Sequence, residues 1–264
     1  MGVLILNKGL LKFYLVSNYR LFCVVAVVLL SLVVLVMGVF DSNAFAQLNS
    51  AQVNLPINPL GDTSSLNALL ANQYFGLFAI LLPMIYVIFS SYGLIGARVD
   101  RGDMAYLLSS PVSRGSIVGS GMFFLICSLV VLYLLIGGVG VVAAGFFQPG
   151  VLDVGVFLFL SLGCFLLMFA YSGISFLASC LFNSGGRVLA FGGGLLVLFF
   201  SLSMVSKLSE DLGFLRYFSV NSLFDSGAVM AGSGFLFGFV VLFVIGVVCF
   251  VVSSVVFRFR NFCV

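Results

Sequence analysis

The sequence predicts an all-α membrane protein with six transmembrane helices, an N-terminal interfacial amphipathic helix and a short cytosolic helix between spans 2 and 3. Hydrophobic residues make up 62% of the 264-residue chain and charged residues only 7%. A soluble domain of this length could not bury so much apolar surface. Six apolar stretches are each long enough to cross a bilayer as a helix, which takes about 20 residues. We therefore expect residues 1–264 to form a single transmembrane domain.

The N-terminal arm, residues 4–20, combines leucines and aromatic residues with Lys8, Lys12 and Arg20. Basic side chains among apolar ones are typical of a helix that lies in the membrane interface. The same charges favour the inner side of the membrane, and the two roles are compatible. The arm is therefore predicted to be an interfacial helix that leads into the first span.

The six spans follow in order, and their apolar stretches are 21–40, 75–97, 117–147, 154–182, 188–205 and 235–257. The third and fourth stretches exceed the length of a simple crossing, so we expect them to tilt or bend. Gly137 and Gly138 mark the place for a bend in span 3. Pro83 predicts a kink in span 2, because proline removes a backbone hydrogen bond and crowds the preceding turn.

A short helix is predicted within the loop of residues 98–116, between spans 2 and 3. Three apolar residues fall at i, i+3 and i+4 on one face of this helix: Met104, Leu107 and Leu108. Asp103 can cap its start, and Pro111 ends it because proline disfavours a helical conformation in the residue before it. Such a helix either fits a groove on a soluble partner or rests on the lipid surface, and its composition allows both.

The outer loops differ in character. Residues 41–74 contain no Lys or Arg and are rich in Asn, Gln and Ser, so we expect irregular structure, with a short helix after Ser64 and Ser65. Residues 206–234 are too apolar for a free loop, and we expect them to form a semi-buried outer segment.

The distribution of basic residues predicts the orientation. Nine of them fall in the N-terminal arm, the two even-numbered loops and the C-terminal tail: Lys8, Lys12, Arg20, Arg98, Arg101, Arg114, Arg187, Arg258 and Arg260. The opposite side has Lys207 and Arg216. Because cytoplasmic loops carry the excess of Lys and Arg, both termini are predicted to be cytoplasmic.

Several functional classes are excluded by missing residues. The chain has no histidine, and no Asp, Glu, Lys or Arg lies in the middle of a span. Ion-coupled carriers and intramembrane hydrolases need such groups, so we expect neither an enzyme nor a cofactor site. No phosphate-binding Gly-x-x-x-x-Gly-Lys motif occurs, and the +3 net charge is divided among separate loops, which argues against a nucleic-acid partner. The energy for any uphill transport would have to come from another chain.

One motif resembles a known family. The motif begins with Asp100-Arg101-Gly102 and continues as an apolar helix that ends in Leu107-Leu108-Ser109-Ser110-Pro111-Val112-Ser113-Arg114. It is similar to the loop between spans 2 and 3 of type-2 ABC transporter permeases. The N-terminal helix and the six spans match the layout of that family, and residues 217–225 resemble its outer segment. Asp100 stands where Glu is common in the family, and Asp103 where a small hydroxyl residue is common.

The resemblance implies the membrane-spanning permease subunit of a bacterial ABC exporter, located in the inner or plasma membrane. The loop would be its coupling helix, in which Met104, Leu107 and Leu108 fill a groove on the ATPase. Charge pairs of Asp100, Arg101 and Arg114 would set the orientation of that helix. The other residues of the coupling segment would be Gly102, Asp103 and Pro111. The implied partners are two copies of a separate ATPase subunit and a second permease, either an identical copy or a sister chain. An amphipathic peptide, drug or lipid is the substrate class that the Phe-, Leu- and Val-rich spans favour.

Two other functions are compatible with parts of the sequence. A stand-alone channel or immunity protein would need no ATPase partner, and its cytosolic loop should tolerate charge reversal. An integral membrane enzyme would need acid–base or metal-binding groups within the bilayer, and the spans lack them.

Overall fold

The computed structural model describes residues 8–39, 66–100, 114–147, 149, 152–182, 184–206, 219–232 and 234–259, and these residues form a bundle of helices. Six of the helices are long and apolar enough to cross a membrane. The first, third and fourth are α1 (Lys8–Val39), α3 (Arg114–Phe147) and α4 (Val154–Leu181). Span 5 is α5 (Gly185–Ser206), and span 6 is α7 (Phe235–Phe259). The predicted all-α membrane fold with six spans is therefore confirmed.

Span 2 is a composite helix, named α2, in which five segments follow one another: Leu66–Leu69, Leu70–Phe78, Ala79–Ser91, Tyr92–Gly96 and Ala97–Asp100. The second and fourth segments are π-helical, and the others are α-helical. The helix starts nine residues earlier than the predicted span at 75, because the apolar residues 68–71 are buried in the bundle. Pro83 lies inside the α-helical segment between the two π-helical ones.

The predicted helix of the N-terminal arm is present and continues into span 1 as one helix without a break. The residues at the predicted junction, Val16 to Arg20, include neither glycine nor proline, so nothing in the local sequence ends the helix there. The described part of the arm and the first span therefore form one continuous helix. Residues 1–7 lie outside the described residues.

Helix α4 is the centre of the bundle and packs against α2, α3, α5 and α7. Its contact with α7 is close because both helices carry glycine there. A Cβ atom at Gly173 would lie 2.9 Å from Cβ of Cys249 and 3.0 Å from the carbonyl oxygen of Gly246. Small residues at such a crossing allow the two backbones to approach, which favours helix association in lipid. Large apolar side chains on the outward faces of α1, α3 and α7 are exposed, as expected of surfaces that face lipid.

The bundle has two ends, which we call the base and the top. At the base α1 and α3 begin and α2 and α7 end, whereas at the top α2 and α4 begin and α5 ends. The top also holds a short 3₁₀ turn (Val220–Leu223) and helix α6 (Ser226–Ala231). Within this described part of the predicted outer segment, Ser219, Asn221 and Phe224 are buried. Residues 207–218 lie outside the described residues.

Candidate functional site

The predicted site residues belong to the loop between α2 and α3. Asp100 is the last residue of α2 and Arg114 is the first residue of α3, so the structure places the two ends of the loop. The other seven lie outside the described residues: Arg101, Gly102, Asp103, Met104, Leu107, Leu108 and Pro111. The described part of the site therefore consists of the helix ends that hold the loop.

Both helix ends contact the same side chain of α1. The ring of Tyr14 packs under the guanidinium of Arg98, with 4.6 Å between Cζ and the ring centroid. The Tyr14 hydroxyl donates a hydrogen bond to the carbonyl oxygen of Ile117, at 3.4 Å. Arg98 lies two residues before the end of α2, and Ile117 lies three residues after the start of α3. Tyr14, which is fully buried, thus connects the two helices close to where the loop leaves each of them.

Arg98 is a buried cation, with 7% of its surface exposed. Its guanidinium donates a hydrogen bond to the carbonyl oxygen of Leu94 at 2.9 Å and also faces the ring of Phe13 at 4.8 Å. Arginine is suited to this position, because its planar group is weakly hydrated and stacks on aromatic faces while it donates in its own plane. A charge at this depth is costly unless such contacts replace its water.

A second contact between α1 and α2 lies one turn further along α1. The Asn18 amide donates a hydrogen bond to the carbonyl oxygen of Tyr14 at 3.2 Å, and Asn18 is nine-tenths buried. A Cβ atom at Gly93 would lie 3.6 Å from the Asn18 side-chain oxygen. We name Phe13, Tyr14, Asn18, Arg98 and Ile117 together the flank cluster. It fixes the position of the N-terminal helix against both ends of the loop.

The second π-helical segment of α2, Tyr92–Gly96, lies directly before the flank cluster and packs against two other helices. A Cβ atom at Gly96 would lie 2.8 Å from the Tyr92 ring and 3.2 Å from the Val188 side chain of α5. The Ser179 hydroxyl of α4 donates to the carbonyl oxygen of Ser91 at 3.1 Å. A π-helical turn leaves backbone carbonyls without their usual partner, and this one is placed to receive a bond from a neighbouring helix.

The sequence alone does not indicate the flank cluster. Arg98 contributes there to the charge bias that predicts orientation, and Tyr14 is one of the aromatic residues of the arm 4–20. The sequence does hold one signal for this contact. Phe13 and Tyr14 are adjacent aromatic residues in a basic arm, and Arg98 lies at the end of a span. Arginine commonly stacks on aromatic rings, so such a pair could have indicated a contact between the arm and the end of span 2.

A family model described as "ABC-2 family transporter protein" matches residues 15–260 of the chain. The match includes the five spans after α1 and the loop between α2 and α3. Of the flank cluster it covers Asn18, Arg98 and Ile117, whereas Phe13 and Tyr14 precede its first residue. No curated protein matches the chain.

Proposed function

The chain belongs to the ABC-2 family of transporter proteins, and we propose that it is the permease subunit of an ATP-driven exporter. In this proposal the loop between α2 and α3 transmits the movement of a separate ATPase to the spans. Membership of the family makes the chain a membrane subunit of an ABC transporter and implies an ABC ATPase as its partner. The coupling role of the loop, the direction of transport and the substrate are part of the proposal.

The observation that carries the coupling role is the attachment of both ends of the loop to one buried side chain, Tyr14. A loop that merely joins two spans does not require its flanks to be tied together. A loop that transmits force requires this connection, because otherwise its two ends could move relative to each other and the displacement would not reach the spans. In this mechanism ATP binding closes two ATPase copies, and each carries a loop helix around Asp103 to Ser110 with it. The flank cluster then passes the displacement to α1, α2 and α3 together.

Contact with the ATPase is assigned to the loop itself. Met104, Leu107 and Leu108 form the apolar face that enters the ATPase groove, as a short amphipathic helix does in many complexes. Asp100, Arg101 and Arg114 set its orientation through charge pairs, which affect register more than affinity. Gly102 and Pro111 bound the helix. The excess of Lys and Arg on one side supports cytoplasmic termini. The proposed location is a bacterial inner membrane.

The remaining parts of the proposal concern assembly and substrate. Two ATPase copies require two permeases, either two copies of this chain or this chain with a sister chain. The spans contain Phe, Leu and Val with few polar side chains and no central charge, which supports an amphipathic peptide, drug or lipid as the substrate.

Purification of the tagged full-length chain from its native membrane in mild detergent, followed by mass spectrometry, tests the coupling role. We expect a soluble ATPase subunit to accompany the wild-type chain and to be lost from Leu107→Asp, because a carboxylate on the apolar face would be buried in the groove without a partner. Ser109→Asp is the control, since it adds the same charge to the opposite face of the predicted helix and should retain the subunit.

Normal assembly of the Leu107→Asp complex would overturn the coupling role of this face. If the wild-type chain is purified without any ATPase, the alternative of a stand-alone channel or immunity protein takes its place.

A further inference from the structure

An apolar groove of about 300 Å³ lies on the surface of the bundle between α1 and α3, in the half nearer the base. Helix α1 contributes Leu11, Leu15, Tyr19 and Phe22, and α3 contributes the facing side chains between Phe123 and Val131. At a rise of 1.5 Å per residue, the α1 wall of the groove is about 16 Å long. Neither the family match nor the coupling proposal assigns a role to this groove.

The surface that the groove offers is hydrocarbon. Leu15 is 53% exposed, Tyr19 46% and Phe123 43%. The polar groups of the lining take part in hydrogen bonds of the protein itself. The Ser128 hydroxyl donates to the carbonyl oxygen of Leu125 at 2.8 Å, and the Tyr19 hydroxyl accepts from Nε of Arg20 at 3.2 Å. The groove is therefore suited to an apolar chain.

Arg20 marks the edge of the groove with a positive charge. Its guanidinium is held there by Tyr19, through the hydrogen bond of Nε and through the ring face, with 5.8 Å between Cζ and the ring centroid. The hydrogen bond uses one of the five N–H donors of arginine. The side chain is exposed, and its planar fork of donors matches the oxygen atoms of a phosphate.

Lys12 adds a second charge on the same side of α1. It is exposed and lies seven residues before Tyr19, which is nearly two full turns of the helix. Neither α1 nor α3 contains an Asp or a Glu, so the two helices that form the groove do not neutralise these charges. An ammonium group is a common phosphate ligand as well.

We propose that this groove binds an anionic phospholipid of the surrounding bilayer, with an acyl chain between α1 and α3 and the phosphate at Arg20 and Lys12. Basic side chains beside an apolar surface at the membrane interface attract anionic lipids. A second copy of the chain is a poorer occupant, because a two-fold contact centred here would bring Lys12 and Arg20 against the same residues of the copy. The inference does not depend on the proposed function, since lipid binding needs no ATPase.

The chain provides its own comparison in a second apolar groove, of about 430 Å³, between α3 and α4. Leu134, Gly138 and Leu162 are among the residues that line it. Helix α4 has no basic residue, and the one basic residue of α3, Arg114, lies twenty residues before Leu134. We expect this groove to accept acyl chains without a preference for anionic lipids.

Single-tryptophan variants of the full-length chain report which lipid occupies each groove, because the natural sequence contains no tryptophan. Phe123→Trp keeps an aromatic ring in the groove between α1 and α3, and Leu134→Trp is its matched control on the same helix. Each variant is reconstituted into phosphatidylcholine bilayers. Part of the lipid is then replaced by phosphatidylglycerol or phosphatidylcholine with brominated acyl chains, which quench a nearby tryptophan.

The expected result is a preference for phosphatidylglycerol at Phe123→Trp and none at Leu134→Trp. One basic residue near anionic lipid is worth about five-fold in affinity, which corresponds to about 1 kcal/mol. Adding Arg20→Gln or Lys12→Gln to Phe123→Trp should therefore lower the preference about five-fold each, and both together should abolish it. Arg187→Gln is the control for general surface charge, since Arg187 is exposed on α5 and does not line the groove.

Melting temperatures of all variants identify those that unfold. Equal quenching of Phe123→Trp by the two brominated lipids, or a preference that survives Arg20→Gln with Lys12→Gln, would overturn the proposal. A preference that falls as much with Arg187→Gln would also overturn it, because the effect would then belong to the whole surface. If neither lipid quenches Phe123→Trp while both quench Leu134→Trp, protein covers the groove, and a second copy replaces lipid as its occupant.

Discussion

Replacement of Tyr14 by leucine should release the two ends of the loop from α1. The substitution keeps an apolar side chain of moderate size but removes both contacts that Tyr14 makes with the loop flanks. These are the ring face against Arg98 at 4.6 Å and the hydrogen bond to the carbonyl oxygen of Ile117 at 3.4 Å. The ring of Phe13 remains beside Arg98, so the cation loses one of its two aromatic contacts.

The expected loss in free energy is the sum of two contributions. A buried cation–π contact is worth about 2 kcal/mol. The hydrogen bond is long, and we assign it about 0.5 kcal/mol, the lower end of the usual range. A total of about 2.5 kcal/mol corresponds to a roughly sixty-fold change in the equilibrium between closed and opened flanks, since about 1.4 kcal/mol is a factor of ten. Tyr14→Phe keeps the ring and loses only the hydrogen bond, so it should change the equilibrium about two-fold.

Hydrogen exchange detected by mass spectrometry on the purified chain measures this opening, because exchange of a protected amide reports the free energy of the local opening that exposes it. Peptides covering residues 94–100 and 114–121 should exchange tens of times faster in Tyr14→Leu, and peptides from α7 should not change. Phe124→Leu is the control for loss of a buried ring, since Phe124 lies outside the flank cluster but belongs to the same hydrophobic core as Tyr14, with 6.4 Å between the two ring centroids. If Tyr14→Leu exchanges within two-fold of wild type at both flanks, Tyr14 does not hold the loop and the reasoning fails.

Two further substitutions test the packing of the bundle. Tyr133→Phe removes a 2.7 Å hydrogen bond to the carbonyl oxygen of Ala79, where α2 changes from π-helical to α-helical. Because the buried carbonyl loses a partner, we expect the free energy of unfolding to fall by about 1–3 kcal/mol. The melting temperature in detergent should fall accordingly. An unchanged melting temperature would mean that this carbonyl is satisfied within its own helix. Gly173→Ala places a Cβ atom 2.9 Å from Cβ of Cys249, and this overpacking should destabilise the chain by about 1–3 kcal/mol. Gly138→Ala is the control. A Cβ atom there has nothing within 4 Å, and alanine favours a helix more than glycine does, so this variant should be neutral or stabilising. Equal melting temperatures for the two alanine variants would show that α4 and α7 can separate without cost.

The number and order of the spans were predictable, because 20-residue apolar stretches have few alternatives to a membrane helix. The extent of α2 was not. Residues 66–74 include Asn67, Asn72 and Gln73, and their polarity indicated a loop, whereas burial of the apolar residues around them keeps this stretch helical. The π-helical segments also have no sequence signal of their own, since they arise from packing against neighbouring helices.

The candidate site was predictable in part for a related physical reason. A motif of adjacent residues, such as Asp100 to Arg114, is visible in the sequence. The flank cluster joins residues about 80 to 100 positions apart, and only the fold brings them together. Asn221 at the top is a similar case, because it is an ordinary turn residue in the sequence, and only the fold buries its side-chain oxygen without a hydrogen-bond partner among the described residues.

Helix α2 runs from the top of the bundle to the base and has a π-helical segment near each end. Leu70–Phe78 lies at the top, and Tyr92–Gly96 ends two residues before Arg98 of the flank cluster. Between them Ala79–Ser91 is α-helical, contains Pro83 and packs against α4. Each π-helical segment is a place where α2 can exchange a backbone hydrogen bond for one from a neighbour, as Ser179 does at the Ser91 carbonyl. In the proposed exporter α2 is therefore the helix that leads from the loop at the base to the top of the bundle, and its contact with α4 at Ser91 ties it to the centre of the bundle.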